Sequence, residues 1–126
     1  MANKKILLAE DEPDIMQVLT MRLNKMGYDL IFAQNGREAV DMAKIDQPDL
    51  ILMDYRLPVL NGIEACKEIK SDSSTKHIPV IFMTASSEGE AVEAIRQAGA
   101  EDCITKPFDG DEFTKKVKDL FNQKKS

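Results

Sequence analysis

The chain has 126 residues, of which 43% are hydrophobic and 31% are charged, and its formal net charge is −5. This length and composition are typical of one soluble globular domain that needs no disulfide or structural metal to hold its core. The net negative charge argues against nucleic acid as a direct partner, because phosphate backbones are bound mainly by clustered cations. The apolar runs are too short for a membrane span or a signal-peptide core, so we expect no membrane insertion and a cytoplasmic location.

Short apolar runs alternate with longer amphipathic stretches along the chain. Five of the runs predict buried strands, and each is followed by a stretch with apolar residues at helical spacing. The predicted strands cover 6–9, 30–33, 50–53, 80–83 and 102–105. Strands that alternate with helices in this way indicate an α/β domain with a parallel sheet covered on both faces.

The helices have recognisable start and stop signals. Pro13-Asp14 begins the first helix and Gly27 ends it, and Gly99 closes the fourth. Asn35-Gly36 taken alone indicates a tight hairpin, but the residues that follow have helical spacing and no alternation of period two. We therefore predict that a helix follows Asn35. The predicted buried stripes of the five helices are Ile15, Val18, Leu19, Leu23 and Met26; Ala39, Val40 and Ala43; Ile63, Cys66 and Ile69; Ala91, Ala94, Ile95 and Ala98; and Phe113, Val117, Leu120 and Phe121.

Four of the predicted strands are followed by polar residues of different chemical kinds. Glu10 and Asp11 follow the first strand, and Asp54, Thr84 and Lys106 follow the third, fourth and fifth. The carboxyl ends of parallel strands share one edge of a sheet, and ligands bind there. That edge is therefore predicted to carry three carboxylates, one hydroxyl and one ammonium.

This set of groups suits the binding of a divalent cation and the transfer of a phosphoryl group. Carboxylates that lie close together ionise fully only with a cation among them, and hard oxygen ligands favour Mg²⁺. Asp54 is the best candidate nucleophile, because it ends the most uniformly apolar strand. Lys106 and Thr84 can neutralise charge and donate a hydrogen bond at phosphoryl oxygens.

Other residues that often carry chemistry favour structural roles here. Cys66 and Cys103 are far apart and outside any metal-binding or redox spacing, which predicts reduced core thiols. His77, the single histidine, precedes a strand at the end opposite the acidic residues and is predicted to lie on the surface. The methionines mostly fit core or helix positions.

Four segments together resemble the receiver domains of bacterial two-component response regulators. They are LLAEDEP at 7–13, LMDYRLP at 52–58 with Asn61-Gly62, MTA at 83–85, and TKPF at 105–108. The resemblance covers essentially the whole chain. It implies a flavodoxin-like, doubly wound sheet of order 2-1-3-4-5, and a single, stand-alone receiver domain over 1–126, similar to chemotaxis regulators.

The resemblance also implies a role for each site residue. Asp54 is the implied phosphoacceptor, and Thr84 and Lys106 contact the phosphoryl oxygens. The implied Mg²⁺ ligands are Glu10, Asp11, Asp54 and the backbone carbonyl of Arg56. A cis peptide between Lys106 and Pro107 is expected to aim the lysine.

The sequence departs from the family pattern at one position that bears on signal output. Three residues before the lysine, receiver domains usually carry an aromatic residue that moves inward on phosphorylation, and here the residue is Cys103. Glu10 replaces the commoner aspartate and keeps its charge. Arg56 and Ser86, two residues beyond Asp54 and Thr84, are expected to tune the lifetime of the phosphoryl group.

The implied function is that of a phosphoacceptor switch that catalyses its own aspartyl phosphorylation and dephosphorylation. The expected donor is a histidine kinase or a histidine phosphotransfer protein, and the expected output is binding to a downstream protein or onward transfer of the phosphoryl group. The alternatives are a phosphorylation-independent interaction module of the same fold and a metal-dependent phosphatase. The commonest phosphatase design needs a second acidic residue at position 56, where this chain has Arg56.

Overall fold

The structure is a computed structural model that describes residues 3–85, 89–106 and 109–123. Strands and helices alternate throughout, as the sequence predicts. The strands are β1 (Lys5–Ala9), β2 (Asp29–Ala33), β3 (Leu50–Asp54), β4 (Val80–Thr84) and β5 (Asp102–Thr105). The helices are α1 (Pro13–Lys25), α2 (Gly36–Asp46), α3 (Gly62–Ser71), α4 (Gly89–Gln97) and α5 (Gly110–Gln123).

The five strands form one parallel sheet in the order β2-β1-β3-β4-β5. Every residue of β3 and β4 is buried, because these strands have neighbours on both sides and helices over both faces. The predicted fold class and strand order are therefore confirmed. The order reverses its direction of winding between β1 and β3, and in such sheets the crevice at the carboxyl ends of the strands at this point binds ligands.

Each face of the sheet has its own apolar core, because successive side chains of a strand point to opposite faces. Ile51 and Met53 of β3 pack in the core under α2, α3 and α4, whereas Leu50 and Leu52 pack under α1 and α5. The two cores hold the central strands rigidly. The carboxyl end of β3, which carries Asp54, is consequently anchored on both sides.

Asparagine side chains cap the first turns of α2 and α3. The side chain of Asn35 accepts a hydrogen bond from the backbone N–H of Glu38, and Asn61 does the same for Glu64. An asparagine at this position satisfies a backbone donor that the helix itself leaves unpaired. Asn35-Gly36 is thus a helix start, as predicted, and not a hairpin turn.

One prediction for the packing of α1 is wrong. Val18, which was predicted to lie in the buried stripe, is exposed, and the side chain of Met21 is 64% exposed. Leu19 and Leu23 alone are buried in this helix, and Ile15 and Met26 pack at the margin of the core. An outer helix that covers an edge of the sheet buries a narrower stripe than the sequence pattern indicates.

The expected surface position of His77 is confirmed, and of the two expected core cysteines only Cys66 is fully buried. Cys66 and Cys103 are free thiols, the first buried and the second half-buried, and His77 is exposed. In the described parts of the chain, no helix has both the length and the apolar character that a membrane crossing needs.

Candidate functional site at the carboxyl edge of the sheet

The register of the sheet brings the polar strand ends together. Ala9 pairs with Met53, Asp54 with Met83, and Thr84 with Thr105, so β1, β3, β4 and β5 end at nearly the same level. The residues that follow these pairs therefore share one edge of the sheet. The structure places Glu10, Asp54, Thr84 and Lys106 at that edge, as the sequence predicts.

Glu10 is fully buried although it is a carboxylic acid. One carboxylate oxygen, Oε2, accepts hydrogen bonds from the backbone N–H groups of Asp11 and Glu12 at 3.1 and 3.2 Å. Its own backbone N–H donates to the carbonyl of Ala33 at the end of β2, at 3.1 Å. Two backbone donors and one acceptor thus fix both the main chain and the side chain of Glu10.

The Lys106 ammonium links Glu10 to Asp54. Its Nζ lies 3.2 Å from Oε1 of Glu10 and 3.3 Å from Oδ1 of Asp54, and its side chain is only 16% exposed. The backbone N–H of Lys106 donates to the carbonyl of Thr84 at 2.6 Å, which ties the start of the loop after β5 to the end of β4. One cation therefore contacts two carboxylates at the bottom of the site.

Burial and mutual contact shift the pKa values of these groups. Burial raises the pKa of Glu10 to about 7, and the adjacent Asp54 carboxylate adds to this effect by hydrogen bonding and by its charge. Burial alone lowers the pKa of Lys106, but the charges of Asp54 and Glu10 outweigh it, so that the pKa is raised overall. The lysine consequently stays protonated, and the acidic pair shares a site that disfavours two negative charges.

Asp54 is nearly buried, with 5% of its surface exposed. Besides the contact with Lys106, its Oδ1 accepts a hydrogen bond from the backbone N–H of Arg56 at 3.4 Å. The next residue, Tyr55, donates its backbone N–H to the carbonyl of Met83, which continues the pairing of β3 with β4 past the carboxylate. Asp54 is thus a fixed carboxylate that small molecules can still reach.

A third carboxylate that the sequence argument did not select converges on this pair. Oxygens of Glu10, Glu12 and Asp54 lie within 4.8 Å of one another and can hold a metal ion together. Asp11 is exposed and is not a member of this group of three. The run of three acids at 10–12 was the available signal for Glu12, but spacing alone does not show which side chains of such a run turn inward.

The remaining predicted residues occupy different surroundings. Thr84 is almost completely buried at the end of β4, and the Arg56 side chain is exposed. Cys103 pairs in register with Phe82 and packs against the core under α2, α3 and α4. Ser86, Pro107 and therefore the proposed cis peptide lie outside the described residues.

Comparison with known proteins identifies this arrangement. Residues 6–118 match the response regulator receiver domain. The chain belongs to this family. It functions as a phosphoacceptor signalling domain of a two-component system, and receiver domains interact with histidine kinases or phosphotransfer proteins and with downstream targets.

The chain is similar to one regulator over nearly that protein's full length and to another over only half of that protein's length. It is 39% identical to the polar-differentiation response regulator DivK of Brucella anthropi, over 91% of this chain and 94% of DivK. It is 38% identical to the transcriptional regulatory protein PhoP of Bacillus subtilis, which regulates alkaline phosphatase synthesis. That match covers 96% of this chain but only half of PhoP.

Solved structures share the receiver fold over nearly the full chain. The receiver domain of a sensor histidine kinase from Pseudomonas aeruginosa, with a magnesium ion in its active-site cleft, is 37% identical with a TM-score of 0.84, over 90% of this chain and 93% of that one. The chemotaxis response regulator CheY4 of Vibrio cholerae is 28% identical with a TM-score of 0.88, over 94% and 99%.

Proposed function

We propose that Asp54 is the phosphoacceptor of this receiver domain. The observation that carries the proposal is the contact between Asp54 and Lys106, 3.3 Å apart at the carboxyl end of a buried central strand. A carboxylate that is fixed in position, reachable and next to a permanent cation is suited to attack phosphorus. The cation is equally suited to offset the charge of the phosphoryl group after transfer.

We further propose that Mg²⁺ binds beside Asp54. The donor set fits this ion, since the oxygens of three carboxylates converge there and Mg²⁺ prefers oxygen ligands. The proposed ligands are Glu10, Asp11, Asp54 and the carbonyl of Arg56, and the position of Glu12 adds it to the candidates. When bound, Mg²⁺ supplies positive charge that allows the acids to ionise together and that offsets charge on the phosphoryl oxygens.

The proposed transfer displaces histidine from phosphorus. An oxygen of Asp54 forms a bond to phosphorus while the bond from phosphorus to the donor's imidazole nitrogen breaks. The electron pair of that bond stays on the imidazole, which leaves as neutral histidine when its other nitrogen carries a proton. We propose that Lys106 holds its ammonium next to the new ester oxygen and that Thr84 donates its hydroxyl to a phosphoryl oxygen.

The proposed dephosphorylation is hydrolysis of the acyl phosphate. A water oxygen forms a bond to phosphorus, the bond to the Asp54 oxygen breaks, and the electron pair returns to the carboxylate. Inorganic phosphate leaves and takes the remaining hydrogens of the water. We propose that residues 1–126 act in this way as one receiver unit, whose donor is a histidine kinase or a histidine phosphotransfer protein and whose output is contact with another protein.

The test is phosphorylation by acetyl phosphate, followed by intact-mass spectrometry. The wild type is expected to gain one phosphoryl group when Mg²⁺ is present and none when it is chelated, and Asp54→Asn is expected to gain none. Asp49→Asn is the matched control, because Asp49 lies before β3 at the opposite edge of the sheet. A phosphoryl group on Asp54→Asn, or none on the wild type, would show that the assignment is wrong.

A further inference from the structure

Val59 has an unusual backbone conformation in the loop between β3 and α3. Its φ is 70°, and the backbone N–H of Leu60 donates to the carbonyl of Pro58 at 2.7 Å across it. A hydrogen bond that skips one residue at positive φ defines the rare and strained form of the γ-turn. Valine is poorly suited to this position, because β-branched residues are genuine outliers at positive φ.

The packing of the loop on its surroundings imposes this turn. A Cβ on Gly36, at the start of α2, would lie 1.8 Å from the carbonyl oxygen of Leu60. A Cβ on Gly62, where the loop ends, would lie 2.5 Å from the carbonyl oxygen of Asp54. Backbone therefore packs on backbone at both sides of the turn, and the loop has little freedom to relax the conformation of Val59.

The side chain of Val59 makes little contact with the rest of the fold, so burial does not offset this strain. It is 81% exposed, more than any other large apolar side chain in the described part of the chain. A glycine or an asparagine would adopt the same backbone conformation at lower cost. The fold thus holds the backbone of an exposed apolar residue in a fixed turn, on the loop that follows Asp54.

We propose that Val59 is an apolar contact for the protein that donates the phosphoryl group. The inference rests on the proposed function of Asp54. The phosphorylated imidazole of the donor must come within bonding distance of that carboxylate, so the surrounding donor surface must cover the rim of the site, to which this loop belongs. A backbone that is fixed before binding loses little conformational entropy on contact, which favours association.

A comparison of a small phosphodonor with a protein phosphodonor distinguishes the proposed contact at Val59 from the chemistry at Asp54. Acetyl phosphate buries little surface of the receiver when it reacts, whereas a phosphorylated protein covers the rim of the site. The protein probe is chosen from a panel of purified histidine kinases and histidine phosphotransfer proteins, each phosphorylated beforehand. The member that transfers fastest to the wild type is then used with every variant.

Three variants are compared with the wild type. Val59→Asn is expected to raise the melting temperature and to raise the KM for the protein donor about three- to tenfold, as the loss of part of a valine's buried apolar area implies, with kcat unchanged. Val59→Thr keeps the β-branch, so it should leave the melting temperature unchanged while raising KM. Ile45→Asn is the matched control, because Ile45 is 78% exposed in the last turn of α2, at the opposite edge of the sheet.

The rate with acetyl phosphate should stay within about twofold of the wild type for all three variants, since none of them alters the reacting groups. A KM for the protein donor that is unchanged in both Val59 variants would overturn the inference, and so would a rise of the same size in Ile45→Asn. The inference would also be overturned if acetyl phosphate phosphorylated the wild type but no protein of the panel transferred its phosphoryl group to it. Failure of the wild type with acetyl phosphate would instead overturn the proposed function, and the inference with it.

Discussion

Lys106 donates a hydrogen bond to Glu10 across 96 residues of sequence, with 3.2 Å between Nζ and Oε1. Because the same ammonium contacts Asp54, it occupies the region to which we assign the metal. Under the proposed function the lysine and Mg²⁺ share the same carboxylates, and we expect changes at Lys106 to affect metal binding and phosphoryl transfer in opposite directions.

Replacing Lys106 with methionine removes a positive charge beside the acidic residues. We expect Lys106→Met to bind Mg²⁺ about three- to tenfold more tightly, because an unscreened cation nearby opposes the ion. Phosphorylation by acetyl phosphate should be at least about tenfold slower, since the charge on the phosphoryl oxygens is no longer offset. Calorimetry and intact-mass kinetics measure the two effects. Lys116→Met is the control, because it removes a cation that pairs with Asp102, and it should change neither Mg²⁺ affinity nor the rate of phosphorylation. Weaker Mg²⁺ binding by Lys106→Met would contradict the prediction.

The raised pKa of Glu10 predicts how the stability of the metal-free protein depends on pH. Its pKa is about 7 in the folded protein against 4.5 ordinarily, so the folded state binds the proton more tightly than the unfolded state does. This contribution to the free energy of unfolding is complete below about pH 4.5 and is lost as the pH rises through about 7.

Urea denaturation in the presence of a chelator measures this loss. Between about pH 5 and about pH 8, Glu10→Gln should lose less stability than the wild type, by roughly 1–3 kcal/mol. With saturating Mg²⁺ the wild type should instead be the more stable of the two proteins. The bound ion stabilises the wild type, whereas Glu10→Gln lacks one of the proposed ligands. Parallel pH profiles for the two metal-free proteins would contradict the prediction.

Arg56 is expected to lengthen the life of the phosphorylated state. Its side chain is exposed two residues beyond Asp54, where it can obstruct the attacking water or pair with the phosphoryl group. Arg56→Asn should therefore speed dephosphorylation several-fold and change the rate of phosphorylation less. Arg37→Asn, an exposed change on α2, is the control for lost charge. Equal effects on both rates would argue against this role. Ser86, the companion position, lies outside the described residues.

Cys103 is expected to contribute little to the signal output. Its thiol is half-buried and much smaller than the aromatic ring that this position usually carries, so its rotation displaces little surface. Beryllofluoride can stand in for the phosphoryl group on Asp54 while amide hydrogen exchange is measured over 86–98. The change in exchange should persist in Cys103→Ala and increase in Cys103→Tyr. Loss of the change in Cys103→Ala would show that the thiol itself is the switch.

Gly62 is expected to be intolerant of a side chain. A Cβ there would lie 2.5 Å from the carbonyl oxygen of Asp54 and 2.9 Å from Cε1 of Phe82, and backbone cannot rotate away. Gly62→Ala should cost about 1–3 kcal/mol of stability and slow phosphorylation, because the loop after Asp54 must shift. Gly89→Ala meets nothing within 4 Å and should be neutral or slightly stabilising. Urea denaturation compares the two, and equal stabilities would contradict the close packing at Gly62.

The sequence by itself determined the element order and the placement of the principal site residues. Short apolar runs between stretches of helical spacing indicated strands, and polar residues that end parallel strands share one edge of a sheet. This argument brought Glu10, Asp54, Thr84 and Lys106 together without knowledge of a single distance. The order 2-1-3-4-5 came from the resemblance to receiver domains, and the structure confirms it.

Tertiary structure decided what depends on contacts between distant segments. Periodicity gave α1 too wide a buried stripe, because the extent of burial depends on how far the helix overhangs the edge of the sheet, as exposed Val18 shows. The position of the Glu12 carboxylate beside Glu10 and Asp54 depends on the backbone path after β1, and the positive φ of Val59 depends on the packing of Gly36 against Leu60. Local sequence preference opposes the conformation of Val59, and only the surrounding backbone imposes it.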